Sequence, residues 1–413
     1  MENPATRFDP AGPERPAKRP WAWLALALAL PALVSLGYGI ATAGARSFDL
    51  RLFRRLGAVW WRDSASISPK LFPGYPPYAL VAFWPLNAIP AEALPWVWLV
   101  VNVAACGAVV WLVRMIWGRG WSRSAVLFLA AYFAVWAPVR VTLRTGQISL
   151  VILALILGAE VVRRSGRQVP AGLLLGAALV KPSLAGPFLL YWAWRREWRM
   201  VGTALAVVTG LTAAYCIHTG VWPWVAMSGY LSKGVRVWSG KHGYFEGTTD
   251  IRPLMETLCG GSDWWGWVAA VALAAAALAA MFWLFRHRKE EENTHLAILA
   301  LFSLWAVYHR VYDSVAALPA AALFVADLEA ERRVRLAAAG LAALGLLAVS
   351  LPGLLTERLG LTAGQLDSPW GFLGLHADRL VVFGLFLALL ITLRRERRET
   401  VADHSLEKTN SRR

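Results

Sequence analysis

The chain has 413 residues, of which 57% are hydrophobic and 16% are charged, and its mean hydropathy of +0.47 excludes an ordinary soluble domain. Its net charge of +16 is compatible with nucleic-acid binding, but the basic residues cluster at the ends of long apolar runs. A membrane protein that keeps Lys and Arg on its cytoplasmic side has this pattern, and many of the 23 Trp residues lie at the same ends. We therefore expect an integral membrane protein and no nucleic-acid partner.

Apolar runs that could cross a bilayer recur along the chain. We predict spans near 21–43, 92–113, 124–139, 147–162, 199–218, 264–285, 293–309, 314–328, 334–352 and 378–393. The first run could be a signal peptide, but its length and the lack of a convincing cleavage site favour a retained anchor. Segment 170–194 has basic residues at both ends and must cross twice or re-enter, and Lys181-Pro182 at its middle favours a break between two short helices. The predicted fold is all-α, with about 10–13 transmembrane helices.

Basic residues beside the spans predict which segments are cytoplasmic. These segments are 1–20, 114–123, 163–167, 195–199, 286–289, 329–335 and 394–413. Both termini would then be cytoplasmic tails, at 1–20 and 394–413, on a single transmembrane domain at 21–393. Three external segments remain, at 44–90, 219–263 and 353–377, and the first two are long and rich in Trp, Tyr and Arg, as functional loops often are. Within the first, the apolar piece 79–89 is too short to cross and is expected to lie in the interface.

The sequence shows no motif for a disulfide framework, a metal site or a cofactor site. Only one of the three cysteines, Cys259, lies clearly in a loop, so a disulfide framework is not expected. We find no Walker loop, no dinucleotide fingerprint, no zinc spacing and no dense external carboxylate cluster that would hold a hard cation. We therefore predict a function without a metal ion or a cofactor.

A carboxylate stands at the start of the first external segment. Asp49 is followed by Leu50, Phe53 and Leu56, whose helical spacing predicts an amphipathic helix at the outer surface. In that place Asp49 could accept a proton from a sugar hydroxyl as a general base. The alternative is a structural ion pair with a nearby arginine such as Arg51.

Two cations lie at the predicted outer ends of spans. Arg144 precedes a Gly-Gln turn at Gln147 and suits an anionic headgroup, although an arginine that snorkels to the interface would show the same pattern. Lys181 lies between two short apolar helices, where an ammonium needs a partner. A lipid phosphate would serve as that partner, and so would a carboxylate such as Asp313.

A cluster of ionisable groups interrupts a late apolar run. Its members are His309, Arg310, Tyr312 and Asp313. Several such groups at one hairpin predict a substrate-facing patch, with a plain external turn as the alternative. Three further groups near span ends are expected to be interfacial caps or ion pairs: Glu160, His218 and Asp327.

Between residues 45 and 330, a series of short motifs occurs in an order that resembles a known family. The motifs are Asp49-Leu50, Tyr75-Pro76-Pro77, Phe83-Trp84-Pro85-Leu86 with Pro90, Gly146-Gln147, Gly172-Leu173-Leu174-Leu175-Gly176 with Lys181-Pro182, Arg195-Arg196-Glu197-Trp198-Arg199 and Tyr312-Asp313. Together they resemble glycosyltransferase family 87, within the membrane-embedded GT-C superfamily. Its members include polyprenyl-phosphate-mannose-dependent mannosyltransferases. Three places depart from the family's pattern: Phe53 for a frequent Tyr, Ser149 for a common Asn, and Gly247-Thr248-Thr249-Asp250 for a common Asn-Gln-Ser segment.

The resemblance implies an inverting glycosyltransferase that takes a sugar, mannose by analogy, from a polyprenyl-phosphate donor. In such enzymes the Asp of the first loop acts as base on the acceptor hydroxyl, a role that falls on Asp49. We predict that the donor phosphate is bound by Arg144, Lys181 and Arg310, and that the substrate cavity includes Tyr75, Gln147, His309, Tyr312 and Asp313. The expected partners are the donor, a lipid or glycan acceptor and membrane lipids. The site would open on the external face of the cell membrane.

Two other classes of protein share these features. A transporter or flippase of a lipid-linked or anionic substrate would also have many spans and intramembrane charges, but would more often show paired halves with discontinuous helices in matching positions. A lipid-binding relative without catalysis would show the same spans with altered motif residues, such as Phe53 and Ser149.

Overall fold

Helices form the regular structure of the residues that the computed structural model describes, which are 19–62, 75–238, 249–287, 291–307, 309–346 and 376–410. The α-helices are α1 (Arg19–Arg46), α2 (Phe48–Arg62), α3 (Pro77–Phe83), α4 (Leu94–Trp117), α5 (Arg123–Val135), α6 (Ala137–Thr145), α7 (Ser149–Arg164), α8 (Gln168–Ala178), α9 (Pro182–Trp194), α10 (Trp198–Thr219), α11 (Pro223–Trp238), α12 (Arg252–Leu258), α13 (Asp263–His287), α14 (Glu292–Ala306), α15 (Leu318–Glu329), α16 (Val334–Gly345) and α17 (Ala377–Asn410). Two 3-10 helices, Trp84–Ala88 and Val311–Ala317, come before α4 and α15. The all-α prediction is confirmed.

Several of these helices are long and apolar enough to cross a membrane. In the described part of the chain there are five such segments, namely Pro20–Ala43, Leu94–Trp117, Trp198–Thr219, Trp264–His287 and Val311–Glu329, and the bent pair α5 and α6 makes a sixth if it is one span. Other predicted spans coincide with helices of only 11 to 16 residues, which are α7, α8, α9, α14 and α16. The protein is therefore a multi-pass membrane protein, and a total of about 10–13 crossings stays a prediction.

The span predicted at 124–139 is broken in the middle. Helix α5 ends at Val135, α6 begins at Ala137, and the two axes differ in direction by 59°. Trp136 between them has an extended backbone, with φ −60° and ψ 132°, and Pro138 lies in the first turn of α6. Proline is favoured in the first turn of a helix, and farther along it removes a backbone hydrogen bond because it has no N–H. This break was not predicted from the sequence, although Pro138 was the signal for it.

The break predicted at Lys181 is present. Helix α8 ends at Ala178 and α9 begins at Pro182, so Lys181 is the cap residue of α9, with φ −118° and ψ 78°. As at Trp136, the proline follows the break and starts the next helix. The side chain of Lys181 is buried, with 7% of its surface exposed.

Three of the segments predicted to be cytoplasmic, 114–123, 163–167 and 195–199, meet at one end of the bundle. Arg163 at the end of α7 lies 2.9 Å from Glu197 and 2.9 Å from Glu292, which precede or begin α10 and α14. The Trp117 indole at the end of α4 donates to the Asn293 carbonyl at 3.2 Å. These segments therefore share one side of the membrane, and which side that is remains a prediction.

The three groups expected to be caps or ion pairs have such partners. Glu160 accepts hydrogen bonds from Arg163 and Arg164, and the Trp192 indole donates to it at 3.2 Å. The other two contacts are Asp327 with Arg333 at 2.8 Å and His218 Nε2 with the Trp61 carbonyl oxygen at 3.1 Å.

The predicted external segments contain helices of their own. Segment 44–90 holds α2, α3 and a 3-10 helix, and segment 219–263 holds α11 and α12. Ala79 and Leu80, which the sequence assigned to a piece lying in the interface, are fully buried inside the protein. Helix α17 continues through most of the predicted tail at 394–413. Nearly all of the predicted loop 353–377 and of tail 1–20 lies outside the described residues.

Candidate functional site

Helix α2 places Asp49 in its first turn, directly after the end of α1. A carboxylate there is favoured by the partial positive charge of the helix N-terminus. The face of α2 that bears Leu50 and Phe53 is buried, and the Phe53 ring packs 5.2 Å from Tyr75 and 4.7 Å from Phe83, measured between ring centroids. This packing holds α2 against α3 and fixes the position of Asp49.

The Gly146-Gln147 turn packs directly against α2. Gly146 ends α6 with φ +74°, and a Cβ at this position would lie only 2.7 Å from the Cβ of Leu50. A side chain is therefore excluded both by the left-handed backbone and by the close approach of α2. The Trp98 indole donates to the Gly146 carbonyl at 2.8 Å and holds the turn from the other side. As a result, residues on either side of Gly146 face Asp49.

Two of these residues, Thr145 and Gln147, lie where their side-chain donors can act on the Asp49 carboxyl and lower its pKa. The Thr145 hydroxyl has a single proton and also faces the Val141 carbonyl, at 2.9 Å. Gln147 is thus the stronger donor. Its amide oxygen accepts a hydrogen bond from the Tyr75 hydroxyl at 3.3 Å, which leaves the amide N–H groups for Asp49.

The surroundings of Asp49 shift its ionisation. Asp49 is half-buried, and burial raises the pKa of its carboxyl above the ordinary value, in spite of the Gln147 and Thr145 donors and the charges of Lys181 and Arg310. Burial also raises the pKa of Tyr75 well above its usual range, so Tyr75 stays a neutral donor to Gln147. A carboxylate with a raised pKa holds a proton more tightly and is therefore a better base than an exposed one.

A second polar group surrounds Lys181. Its ammonium forms an ion pair with Asp313 and donates to the Ser149 hydroxyl at 3.1 Å, and that hydroxyl donates to Asp313 at 2.6 Å. His309 Nδ1 lies 3.0 Å from the other oxygen of Asp313, and the Lys181 nitrogen lies 4.9 Å from the centroid of the Tyr312 ring. The carboxylate considered as a partner for Lys181 therefore contacts it.

Hydrogen bonds tie this cluster to the rest of the site. The Thr142 hydroxyl of α6 donates to the Tyr312 carbonyl at 3.4 Å, and the Thr249 N–H donates to the His309 carbonyl at 3.0 Å. The second external segment and α6 therefore both contact the hairpin that carries Asp313. Segments distant in sequence contribute to one site: 47–50, Tyr75, 145–149, Lys181, 249–250 and 309–313.

The two predicted arginines differ in their surroundings. Arg310 is exposed, and its charge acts on Asp49. Arg144 is partly buried next to Thr145, and its Nε has no hydrogen-bond partner within the described ranges. Their assignment to a donor phosphate remains a prediction.

One polar group of the site was not singled out in the sequence, and a second was noted only in the Gly247-Thr248-Thr249-Asp250 segment and as an alternative base. Thr145 faces Asp49, and its position two residues before Gln147 was the available signal. Asp250 is buried between the charges of His309, Arg252 and Arg379, and burial raises its pKa. Across the described residues, no group of three or more His, Cys, Asp or Glu side chains is arranged to hold a metal ion.

Comparison with known proteins identifies the family of this chain. The profile of glycosyltransferase family 87 matches residues 72–307, which is more than half of the chain. The chain therefore belongs to glycosyltransferase family 87, and the resemblance drawn from its motifs is confirmed. The match begins after Asp49, so the role of Asp49 is not tested by it.

Two curated relatives carry the same name, polyprenol-phosphate-mannose-dependent alpha-(1-2)-phosphatidylinositol pentamannoside mannosyltransferase. The one from Mycolicibacterium smegmatis is 31% identical over 137 residues, which is 32% of this chain and 32% of the relative. The one from Mycobacterium tuberculosis is 34% identical over 106 residues, or 25% of this chain and 24% of the relative. The matched part thus spans about a third or less of each relative's length. No solved structure matches this chain.

Proposed function

We propose that this membrane glycosyltransferase moves mannose from a polyprenyl-phosphate donor to a hydroxyl of a lipid or glycan acceptor, with inversion, on the external face of the cell membrane. The observation that carries the proposal is the setting of Asp49, a half-buried carboxylate beside the neutral donors Gln147 and Thr145 and under the influence of the charges of Lys181 and Arg310. The names of the two mycobacterial relatives support the choice of donor. Membership of the family favours transfer over the transporter alternative.

The proposed reaction has one displacement step. Asp49 accepts the proton of the acceptor hydroxyl as the hydroxyl oxygen attacks the anomeric carbon. The bond from that carbon to the phosphate oxygen breaks, and its electron pair leaves with the lipid phosphate. Attack on the side opposite the leaving group inverts the configuration. The phosphate must therefore lie across the sugar from Asp49.

Cations are needed where the charge on the phosphate develops. Arg310 is the best placed of the three candidates, because it is exposed and close enough for its charge to act on Asp49. The charge of Lys181 is already compensated by Asp313. We therefore assign Lys181 mainly to holding the hairpin that carries Arg310, and it would meet the phosphate only together with Asp313.

Transfer can be measured in membranes that contain the protein, supplied with radiolabelled polyprenyl-phosphate mannose and an extract of lipids and glycans. Asp49→Asn keeps the shape of the side chain and removes the base, so we expect transfer to fall about 10²–10⁴-fold, the usual contribution of a positioned base. Glu92→Gln is the matched control, since Glu92 is exposed in the turn before α4. Its rate should equal the wild-type rate. Transfer by Asp49→Asn at the wild-type rate would refute the role of Asp49.

A further inference from the structure

Helix α2 lies along the membrane surface because both of its ends are tied to the ends of membrane spans. At its start, a single residue separates it from α1, whose apolar span is Pro20–Ala43. At its other end, the Trp61 carbonyl oxygen lies 3.1 Å from His218, in the last turn of the span Trp198–Thr219. The 15 residues of α2 extend over about 22 Å at 1.5 Å per residue. A helix fixed in this way at both ends runs in the plane of the interface.

The two faces of α2 differ in charge and in burial. One face is buried inside the protein and consists of Leu50, Phe53, Leu56, Gly57 and Trp60. On the opposite face, Arg55 and Arg62 are exposed and, at 100° per residue, lie within about 20° of each other around the axis. Arg54 is half-buried and lies about 80–100° around the axis from them, at the edge of this face. These three arginines form what we term the α2 basic stripe, and no ion pair joins them to any residue that the structure describes.

Aromatic side chains flank this stripe at the level of the interface. Phe48 at the start of α2 is 68% exposed and Trp61 at its end is 49% exposed. The Trp61 ring stacks on His218, at 5.1 Å and nearly parallel, and packs 4.7 Å from Trp84. Exposed rings of this kind mark the boundary between headgroups and acyl chains. The guanidinium groups between them therefore lie at headgroup depth.

We propose that the α2 basic stripe binds the phosphate groups of anionic phospholipids in the leaflet on which the candidate site opens. Guanidinium groups bind phosphate through paired, charge-assisted hydrogen bonds, and α2 offers no carboxylate on this face to compete. An ordinary interfacial helix inserts its apolar face into the bilayer, but here that face is already occupied. The outer face of α2 can therefore bind the membrane only through attraction to lipid headgroups.

Asp49 belongs to the same helix, so lipid bound to the stripe would steady the carboxylate and its contact with Gln147. This consequence for transfer rests on the proposed function. The binding of lipid does not, and it can be measured without donor or acceptor.

The experiment uses the full chain in vesicles of phosphatidylcholine with a minor fraction of spin-labelled phosphatidylglycerol or, for comparison, spin-labelled phosphatidylcholine. Electron paramagnetic resonance gives the fraction of each lipid that the protein immobilises, and their ratio gives the selectivity for anionic lipid. Each near-surface arginine typically favours anionic lipid by roughly fivefold. We therefore expect Arg54→Gln/Arg55→Gln/Arg62→Gln to reduce the selectivity at least severalfold, and high salt to weaken the wild-type value.

The triple Lys variant at the same positions is the matched control. It keeps the charge and should retain most of the selectivity, whereas arginines elsewhere in the chain contribute equally to all three proteins. Excess inorganic phosphate at constant ionic strength should not displace the labelled lipid, because the stripe lies in the lipid interface. Equal selectivity of the wild type and the Gln variant would overturn the proposal. So would a loss in the Lys variant as large as in the Gln variant, or displacement by inorganic phosphate. A failure here leaves the proposed function untouched, since no sugar transfer is measured.

Discussion

Replacing Gln147 by Met should shift the pH dependence of transfer. Met has a similar length but cannot donate a hydrogen bond, so Asp49 loses its stronger donor while the turn at Gly146 keeps its packing. A hydrogen bond to a charged group contributes about 1.5–3 kcal/mol. Since Asp49 is half-buried and water can replace part of that interaction, we take the lower end of the range. One pKa unit corresponds to about 1.4 kcal/mol, so the pKa of Asp49 should rise by about one unit.

The sign of the effect follows from which form is active. The base is the ionised carboxylate, which predominates above its pKa. A higher pKa therefore moves the acid limb of the kcat/KM profile to higher pH by about one unit, because that profile reports the free enzyme. Below the limb the variant should be about tenfold slower than the wild type, and on the plateau at higher pH the two should be nearly equal.

The assay is transfer from labelled donor over a pH series in buffers of constant ionic strength. Asn87→Met serves as the control, since Asn87 is half-buried away from Asp49 and, among the described residues, its side chain bonds to the Trp84 carbonyl alone. Its profile should match that of the wild type. An acid limb that stays in place in Gln147→Met would show that Gln147 does not set the ionisation of the base. A rate lowered equally at every pH would show that Gln147 acts on substrate instead.

Three further changes test other contacts. Tyr75→Phe keeps the ring packing and removes the hydroxyl that orients the Gln147 amide, so its acid limb should move in the same direction but by less than in Gln147→Met. Asp313→Asn leaves Lys181 buried without a counter-charge, so denaturation of the purified protein should show a loss of about 3–5 kcal/mol in the free energy of unfolding. Adding Lys181→Met should restore part of that loss. Additive effects of the two substitutions would contradict the coupling. For sidedness, a cysteine at Arg55 should react with an impermeant maleimide added to intact cells, and one at Arg167 should react only after the cells are opened.

Local patterns predicted the parts of the site that depend on neighbouring residues. The helical spacing after Asp49 indicated α2, and its apolar positions Leu50 and Phe53 are the ones that the structure buries. Proline after Lys181 indicated the break between α8 and α9. In both cases the signal and the structural feature lie within a few residues of each other, which is the range over which backbone restrictions and helix periodicity act.

Contacts between distant segments could not be derived from such patterns. Lys181 and Asp313 are 132 residues apart, and the sequence alone offered a lipid phosphate as an equally good partner. The closeness of Leu50 to Gly146 likewise depends on how α2 folds back over α6. The number of membrane crossings could not be derived either, because the helices around the site are shorter than a bilayer requires. Hydropathy does not show whether neighbouring helices or lipid cover the ends of such helices.

The two ends of the bundle show how the same residue types can serve different purposes. Helix α7 runs from Ser149 in the site to Glu160 and Arg163 in the ion-pair network at the other end. In the network each carboxylate meets guanidinium groups directly, so charge is balanced by charge and the helix ends are held in place. Asp49 instead has the neutral donors Gln147 and Thr145 beside it and no ion pair with a described residue, and burial keeps its pKa raised. A carboxylate bound directly to arginine would be a weak base, whereas one held by an amide and a hydroxyl can still take up a proton. On this ground Asp49, and not Glu160, is the residue to test for catalysis.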